Sequence, residues 1–153
     1  MEKVSTLRDS VGCAVMASKF RGIPVGEVNP TLSRQLHAHP ELSFQETETA
    51  ALAASKLKKL GYEVLEGIGR TGVVGILRNG EGRTVLARAE MDALPVKENT
   101  GLPYASTLTA SDADGQTVNV AHACGHDAHV TCLLGAAQLL AEARDSWVGT
   151  FIA

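Results

Sequence analysis

The chain has 153 residues, with 14 Lys plus Arg against 17 Asp plus Glu for a formal charge of −3, and it is 44% apolar and 20% charged. That length suits one domain, the apolar share excludes wholesale disorder, and the mild acidity leaves no basic footprint for a nucleic-acid backbone. The longest uninterrupted apolar stretch, Val11 to Ala17, is about seven residues, far short of the roughly 20 a membrane span needs. Glu2 and Asp9 also spoil the basic flank of a secretory signal. Three cysteines, Cys13, Cys124 and Cys132, cannot make a disulfide framework, so a reducing, cytoplasmic setting is expected, with no nucleic-acid or membrane partner.

Residues 1–28 are poorly patterned and read as a lead-in. Asn29-Pro30 then supplies a cap and a first-turn proline for a short helix towards His37, ended by His39-Pro40. Ser43 to Glu46 has the spacing of a capping box. The helix it opens carries Ala50, Ala53, Leu57 and Leu60 and stops at Gly61. Tyr62–Glu66, Gly72–Arg78 and Arg83–Glu90 read as strands, with Asn79 to Gly82 as a hairpin turn between the last two. A second hairpin follows, tipped by Asp112 to Gly115. Asp127 to about Glu142 is the clearest helix, and Val148–Ala153 is an apolar strand in which the sequence stops, as a fragment would. The order of elements predicts an α/β sheet. An apolar strand left at an edge would promote aggregation.

Gly67 to Gly72 has the GxGxxG form of a dinucleotide fingerprint. That motif works at the start of a helix, whereas Val73 to Leu77 reads as a strand, so a glycine-rich strand connection is expected and no nucleotide cofactor. His122 to His129 is a different case, with one thiol, three imidazoles and a carboxylate in eight residues at the mouth of the clearest helix. Thiolate and imidazole are natural ligands of zinc and neighbouring divalent ions, and Gly125 lets the backbone turn between them. The competing reading is a solvated, His-rich loop, with His129 either a satellite of the site or simply exposed. Glu90 and Asp92 fall on one side of a strand, where they can bind a metal, orient a metal-bound histidine, or face solvent with Arg88 in an ion pair. His37 and His39 before Pro40 read as a helix stop with a hydrogen-bonded imidazole rather than a ligand pair. Cys13 and Cys132 lie on apolar patterns, as small core residues do.

Taken in order, these clusters carry a family pattern: Leu36 to Phe44, Gly69 to Val74, Met91 to Pro95, Gly101 to Ser106, and His122 to Asp127. Together they resemble the N-terminal part of the metal-dependent amidohydrolases that include hippurate hydrolase, N-acyl-amino-acid amidohydrolase and the plant indole-acetyl-amino-acid hydrolases. The resemblance covers roughly residues 30–153. It implies a partial zinc-peptidase-like α/β catalytic domain over 29–153, a mixed sheet flanked by helices and truncated at its C-terminus. The family's dimerisation domain, and with it the homodimer or tetramer of a full-length protein, would lie outside the chain.

The implied reaction is hydrolysis of the amide bond in a small N-acyl amino acid. Two divalent ions, of zinc, manganese, cobalt or nickel, would lower the pKa of a water and polarise the carbonyl, and a glutamate would carry the proton. By the same resemblance Cys124 and His126 are metal ligands, and Asp92 orients a metal ligand. Glu90 stands where close relatives usually carry Asp. The family's general base belongs to a Glu-Glu pair beyond Ala153, so this polypeptide alone is expected to be inactive. The alternative is a non-enzymatic metal-binding remnant that contacts a partner.

Overall fold

Helix α1 spans Pro30–Ala38 and helix α2 spans Thr47–Lys59 in the computed structural model, which describes residues 30–153. The expected lead-in at 1–28, the Asn29 cap and the placement of Cys13 lie outside the described residues. Strands β1 (Glu63–Ile68), β2 (Gly72–Asn79) and β3 (Thr84–Leu86) follow, then β4 (Thr109–Ser111) and β5 (Thr117–Asn119), helix α3 (His126–Glu142), a 3-10 turn at Arg144–Ser146, and β6 (Gly149–Ile152). The principal sheet has the order β1-β2-β6-β3, antiparallel except for the β3–β6 pair, and β4 and β5 form a separate antiparallel hairpin. The mixed α/β architecture is the one expected from the sequence. Among the described residues, no helix is long and apolar enough to cross a membrane.

Two strands are placed differently from the sequence expectation. β2 and β3 do not form a hairpin, because β6 lies between them and pairs Leu77 with Phe151 on one side and Val85 with Phe151 on the other. The apolar run that ends the sequence is therefore a central strand, buried at Gly149 and Phe151, as a strand with neighbours on both sides should be. The exposed apolar edge belongs to β3 instead, where Val85 and Leu86 are 57% and 66% exposed. β3 is also shorter than predicted. It follows β6, and beyond Leu86 the Ala87 N–H to Ile152 carbonyl bond (2.9 Å) extends the pairing by one step. A close approach of backbones makes the insertion feasible: Gly149 has φ +120°, and a Cβ there would lie 2.3 Å from the Arg83 carbonyl oxygen.

The capping box is not used. Leu42 to Gln45 forms a turn closed by the Gln45 N–H on the Leu42 carbonyl (2.9 Å), with Phe44 at φ +63°. That turn uses the residues where the box would begin, and α2 starts only at Thr47. Its cap comes from further upstream. The Glu41 carboxylate accepts the backbone N–H groups of Glu48 (2.9 Å) and Thr49 (2.8 Å), placing a negative charge on unpaired donors at the positive end of the helix. Glu46 is buried and accepts a hydrogen bond from the Thr71 hydroxyl at 2.6 Å, joining α2 to the β1–β2 turn. That turn is the Gly67–Gly72 segment, which connects two strands and opens no helix.

The core joins Leu32 and Leu36 of α1, Ala53 and Leu57 of α2, Val130, Leu134 and Ala137 of α3, and Leu77 and Phe151 of the sheet. Tyr62 is buried among them and donates its hydroxyl to the Ala137 carbonyl at 2.9 Å. Burial pushes its pKa up to about 12, so the phenol stays a donor throughout the physiological range. Cys132 is exposed, contrary to the core position its pattern suggested. It sits on the solvent side of α3, while its neighbours Thr131 and Leu134 are buried.

Candidate metal centre

Two short bridges position the site. The chain leaving β3 runs past Glu90 and Asp92 to Ala93, which pairs parallel with Leu42, and to Leu94, which pairs antiparallel with Ala121. The Ala93 N–H meets the Glu41 carbonyl at 2.7 Å, and Leu94 and Ala121 exchange N–H bonds at 3.0 Å. This lays the acidic segment beside the one that leads into α3. There Gly125 caps the helix at φ +78°, ψ 22°, a left-handed conformation that glycine adopts without a Cβ penalty. The His129 N–H bonds the Gly125 carbonyl at 3.1 Å.

His126 and His129 sit in the first turn of α3, three residues apart and so on one face. Their ring centroids are 5.7 Å apart with planes inclined by 33°. The His126 Nδ1–H donates to the Asp92 carbonyl at 2.8 Å and to the Asp92 carboxylate at 3.0 Å. Both partners are acceptors, which assigns the proton to Nδ1 and leaves Nε2 with its lone pair. Glu90 approaches from the β3 side, and one ligand atom each from Glu90, His126 and His129 lie within 4.8 Å of one another. Its own backbone N–H, and then the Arg88 guanidinium 2.8 Å away, hold the Glu90 carboxyl below the usual range. Two imidazoles and an ionised carboxylate, with one imidazole oriented by a further carboxylate, are a donor set that suits zinc and its neighbours.

Cys124 is exposed, two residues before His126, and is not part of that three-residue group. His122 is buried, and neither of its ring nitrogens has a hydrogen-bond partner among the described residues. Burial pushes its pKa down, against the attraction of Asp127, so the ring is neutral.

The reading of His37 and His39 as a helix stop holds for one of the two. His39 Nδ1 donates to the Gln35 carbonyl at 2.8 Å, as a helix end would use it. His37 instead lies between two carboxylates, with Nδ1 on Asp127 at 2.8 Å and Nε2 on Glu98 at 3.1 Å. Burial opposes its charge, but the hydrogen bonds and attraction of Glu98 and Asp127 outweigh that and raise its pKa. Glu98 was not singled out from the sequence. Its loop has no periodicity, and nothing local shows that it reaches across to α1. Its desolvation is outweighed by hydrogen bonds from Thr100, His37 and the Ser106 N–H (2.6 Å), which lower its pKa.

The sequence pattern of Peptidase family M20/M25/M40 matches residues 86–152, the stretch that contains Glu90, Asp92, Cys124, His126 and His129. The chain is 51% identical over 112 residues to a hippurate hydrolase of Campylobacter jejuni, covering 72% of this chain and 27% of that protein. It is 48% identical over 116 residues to thermostable carboxypeptidase 1 of Saccharolobus solfataricus, covering 74% of this chain and again 27% of the relative. The chain thus spans about a quarter of the length of these relatives. Its fold superposes on the crystal structure of Bacillus subtilis YxeP, described as a dinuclear metal-binding peptidase of the M20 family, with a TM-score of 0.70 and 37% identity over 80% of this chain and 33% of that one. Sequence pattern, identity and fold agree: residues 86–152 match Peptidase family M20/M25/M40, and the described residues have the fold of the corresponding part of an M20 peptidase.

Proposed function

We propose that the protein containing these residues is a metal-dependent hydrolase of the amide bond in small N-acyl amino acids, of the hippurate or acetyl-amino-acid kind. The observation that carries this reading is the bonding of His126 Nδ1 to Asp92, which leaves Nε2 available to a cation. Cys124 and His126 are the ligands proposed for the divalent ions, two in number and of zinc, manganese, cobalt or nickel, and Asp92 is the positioning residue for His126. The exposed thiol of Cys124 suits a reducing, cytoplasmic compartment. When bound, such ions activate water and polarise the scissile carbonyl. Among the described residues, Asp92 fixes the tautomer and ring orientation of His126, and Gly125 supplies the left-handed turn between Cys124 and His126 at the start of α3. A pair of ions needs more donors than this cluster brings together, so the 153 residues alone are proposed to be inactive.

The test is release of free amino acid from hippurate and from acetyl amino acids. It compares the native product, sized by intact mass, with the purified 153-residue chain, each loaded with zinc, manganese or cobalt. Chelator-sensitive release by a native product longer than this chain, and none by the chain itself, is expected. Turnover by the 153-residue chain would overturn its proposed inactivity. A native product that binds metal and releases nothing would make the protein a metal-binding remnant.

A further inference from the structure

We infer that Glu90 and His129 join His126 as ligands, so that the described residues by themselves hold one divalent cation. This rests on the reading of His126 as a metal ligand and adds two donors to it. Three features of the geometry support the assignment. The three side chains place ligand atoms within 4.8 Å of one another, with His129 exposed and Glu90 and His126 half-buried, a spread that a single ion can span with small side-chain rotations. His126 and His129 are one turn position apart on the same face of α3, with their rings 5.7 Å apart. Asp92 also ties down His126 Nδ1, which leaves the lone pair on the opposite ring nitrogen and makes the imidazole a stronger donor.

Charge points the same way. The positive end of α3 disfavours a cation at its first turn, and the carboxylates of Glu90 and Asp92 offset that field. The third nearby carboxylate, Asp127, is directed to His37 instead. Arg88 contacts Oε1 of Glu90 at 2.8 Å, leaving the second oxygen for the ion. Two imidazoles and one carboxylate match the donor set of open zinc sites, in which the fourth position accepts water or another ligand. The thiolate of Cys124, two residues upstream, is a candidate for that position. The chemical class of ligand is therefore a borderline divalent ion such as zinc or cobalt, rather than calcium or magnesium, which take all-oxygen cages.

The experiment is a titration of the 153-residue chain with cobalt(II), read by its visible absorption and by displacement with zinc. It is repeated on Glu90→Gln, His129→Ala, Cys124→Ser and His126→Ala, with far-UV circular dichroism to show that each variant remains folded. Glu90→Gln and His129→Ala are each expected to weaken cobalt binding at least about tenfold, the lower end of what loss of a supporting group costs a metal site. If both variants bind cobalt as tightly as the parent while Cys124→Ser and His126→Ala do not, this inference is overturned and His126 remains a metal ligand. If the parent binds no cobalt, or His126→Ala binds it unchanged, the inference and the ligand assignment in the proposed function are both overturned.

Discussion

His126 meets Asp92 twice through one nitrogen, at the backbone carbonyl (2.8 Å) and at the carboxylate (3.0 Å). The carbonyl fixes the ring's position, and the carboxylate adds charge behind it. Asp92→Asn keeps the shape and the carbonyl contact but removes the charge, so His126 becomes a poorer donor. Metal affinity should fall about tenfold to a hundredfold with little change in the unfolding midpoint. Competition against a chromophoric zinc chelator measures the first, and a urea melt the second. Unchanged affinity would mean that the charge behind His126 has no part in metal binding.

The Glu41 carboxylate covers two N–H groups of α2 from seven and eight residues away. Glu41→Gln should cost about 1 kcal/mol, the usual size of a lost helix cap reinforced by the helix dipole. Ser43→Ala should change stability by less than about 0.5 kcal/mol, as exposed surface changes do, because Ser43 is exposed and α2 begins after it. Chemical denaturation of the two variants separates the cap observed from the one that sequence spacing suggested. A larger loss at Ser43 would reverse the assignment.

His37 lies between Glu98 and Asp127, with the edge of Tyr104 against its ring at 5.5 Å and neutral His122 nearby. Its folded pKa is raised above the ordinary 6.5, so its stabilisation is complete below 6.5 and is lost as pH rises through the folded value. Glu98 is lowered from 4.5, and its contribution is complete above 4.5 and lost on acidification. His122 is lowered from 6.5, so it favours the folded state above 6.5 and withdraws that support as pH falls. Above pH 6.5 only the His37 contribution among these three declines. Unfolding free energy should therefore fall from pH 6.5 into the mildly alkaline range, and His37→Gln should flatten that slope. Urea melts across the range decide it, and a parent profile that rises there would contradict the assignment.

The legible parts of the sequence were those in which local pattern and local structure coincide. Gly61 ends α2 after Lys59, Asp112 to Gly115 tips the β4–β5 hairpin, and α3 runs from His126 to Glu142 as its apolar spacing implied. The His122–His129 cluster was visible because its residues are adjacent in sequence, and the structure gathers Glu90, His126 and His129. What escaped depends on distant partners. Asn79 to Gly82 has hairpin composition, yet β6 arrives from some 70 residues on to separate β2 from β3. Glu41 caps α2 across a turn that a spacing rule cannot see, and Glu98 reaches His37 from 61 residues away. Cys132 has apolar neighbours but faces solvent, because periodicity fixes a stripe only to within a residue on a helix whose apolar face is broad.

Gly149 is the position on which the central strand depends. Its φ of +120° is costly for any residue with a side chain, and a Cβ would sit 2.3 Å from the Arg83 carbonyl oxygen. The same carbonyl accepts the Thr150 N–H at 3.0 Å, the contact that begins the β3–β6 pairing. Gly149→Ala should therefore cost about 2–3 kcal/mol, combining backbone strain with a clash that only separation of the strands relieves. Gly101→Ala is the control. Its φ is +69° with nothing among the described residues within 4 Å of the added Cβ, so strain alone should cost about 1–2 kcal/mol. The two changes should also differ in where protection is lost. In Gly149→Ala the amides of Thr150 and Ala87, which join β6 to the β3 segment, should exchange faster with solvent deuterium, while those of α3 keep their protection. Glu90 and Asp92 follow directly after that segment, so metal affinity should fall in Gly149→Ala and not in Gly101→Ala. Equal loss of affinity in both would show that the β3–β6 pairing does not aim the acidic residues at His126.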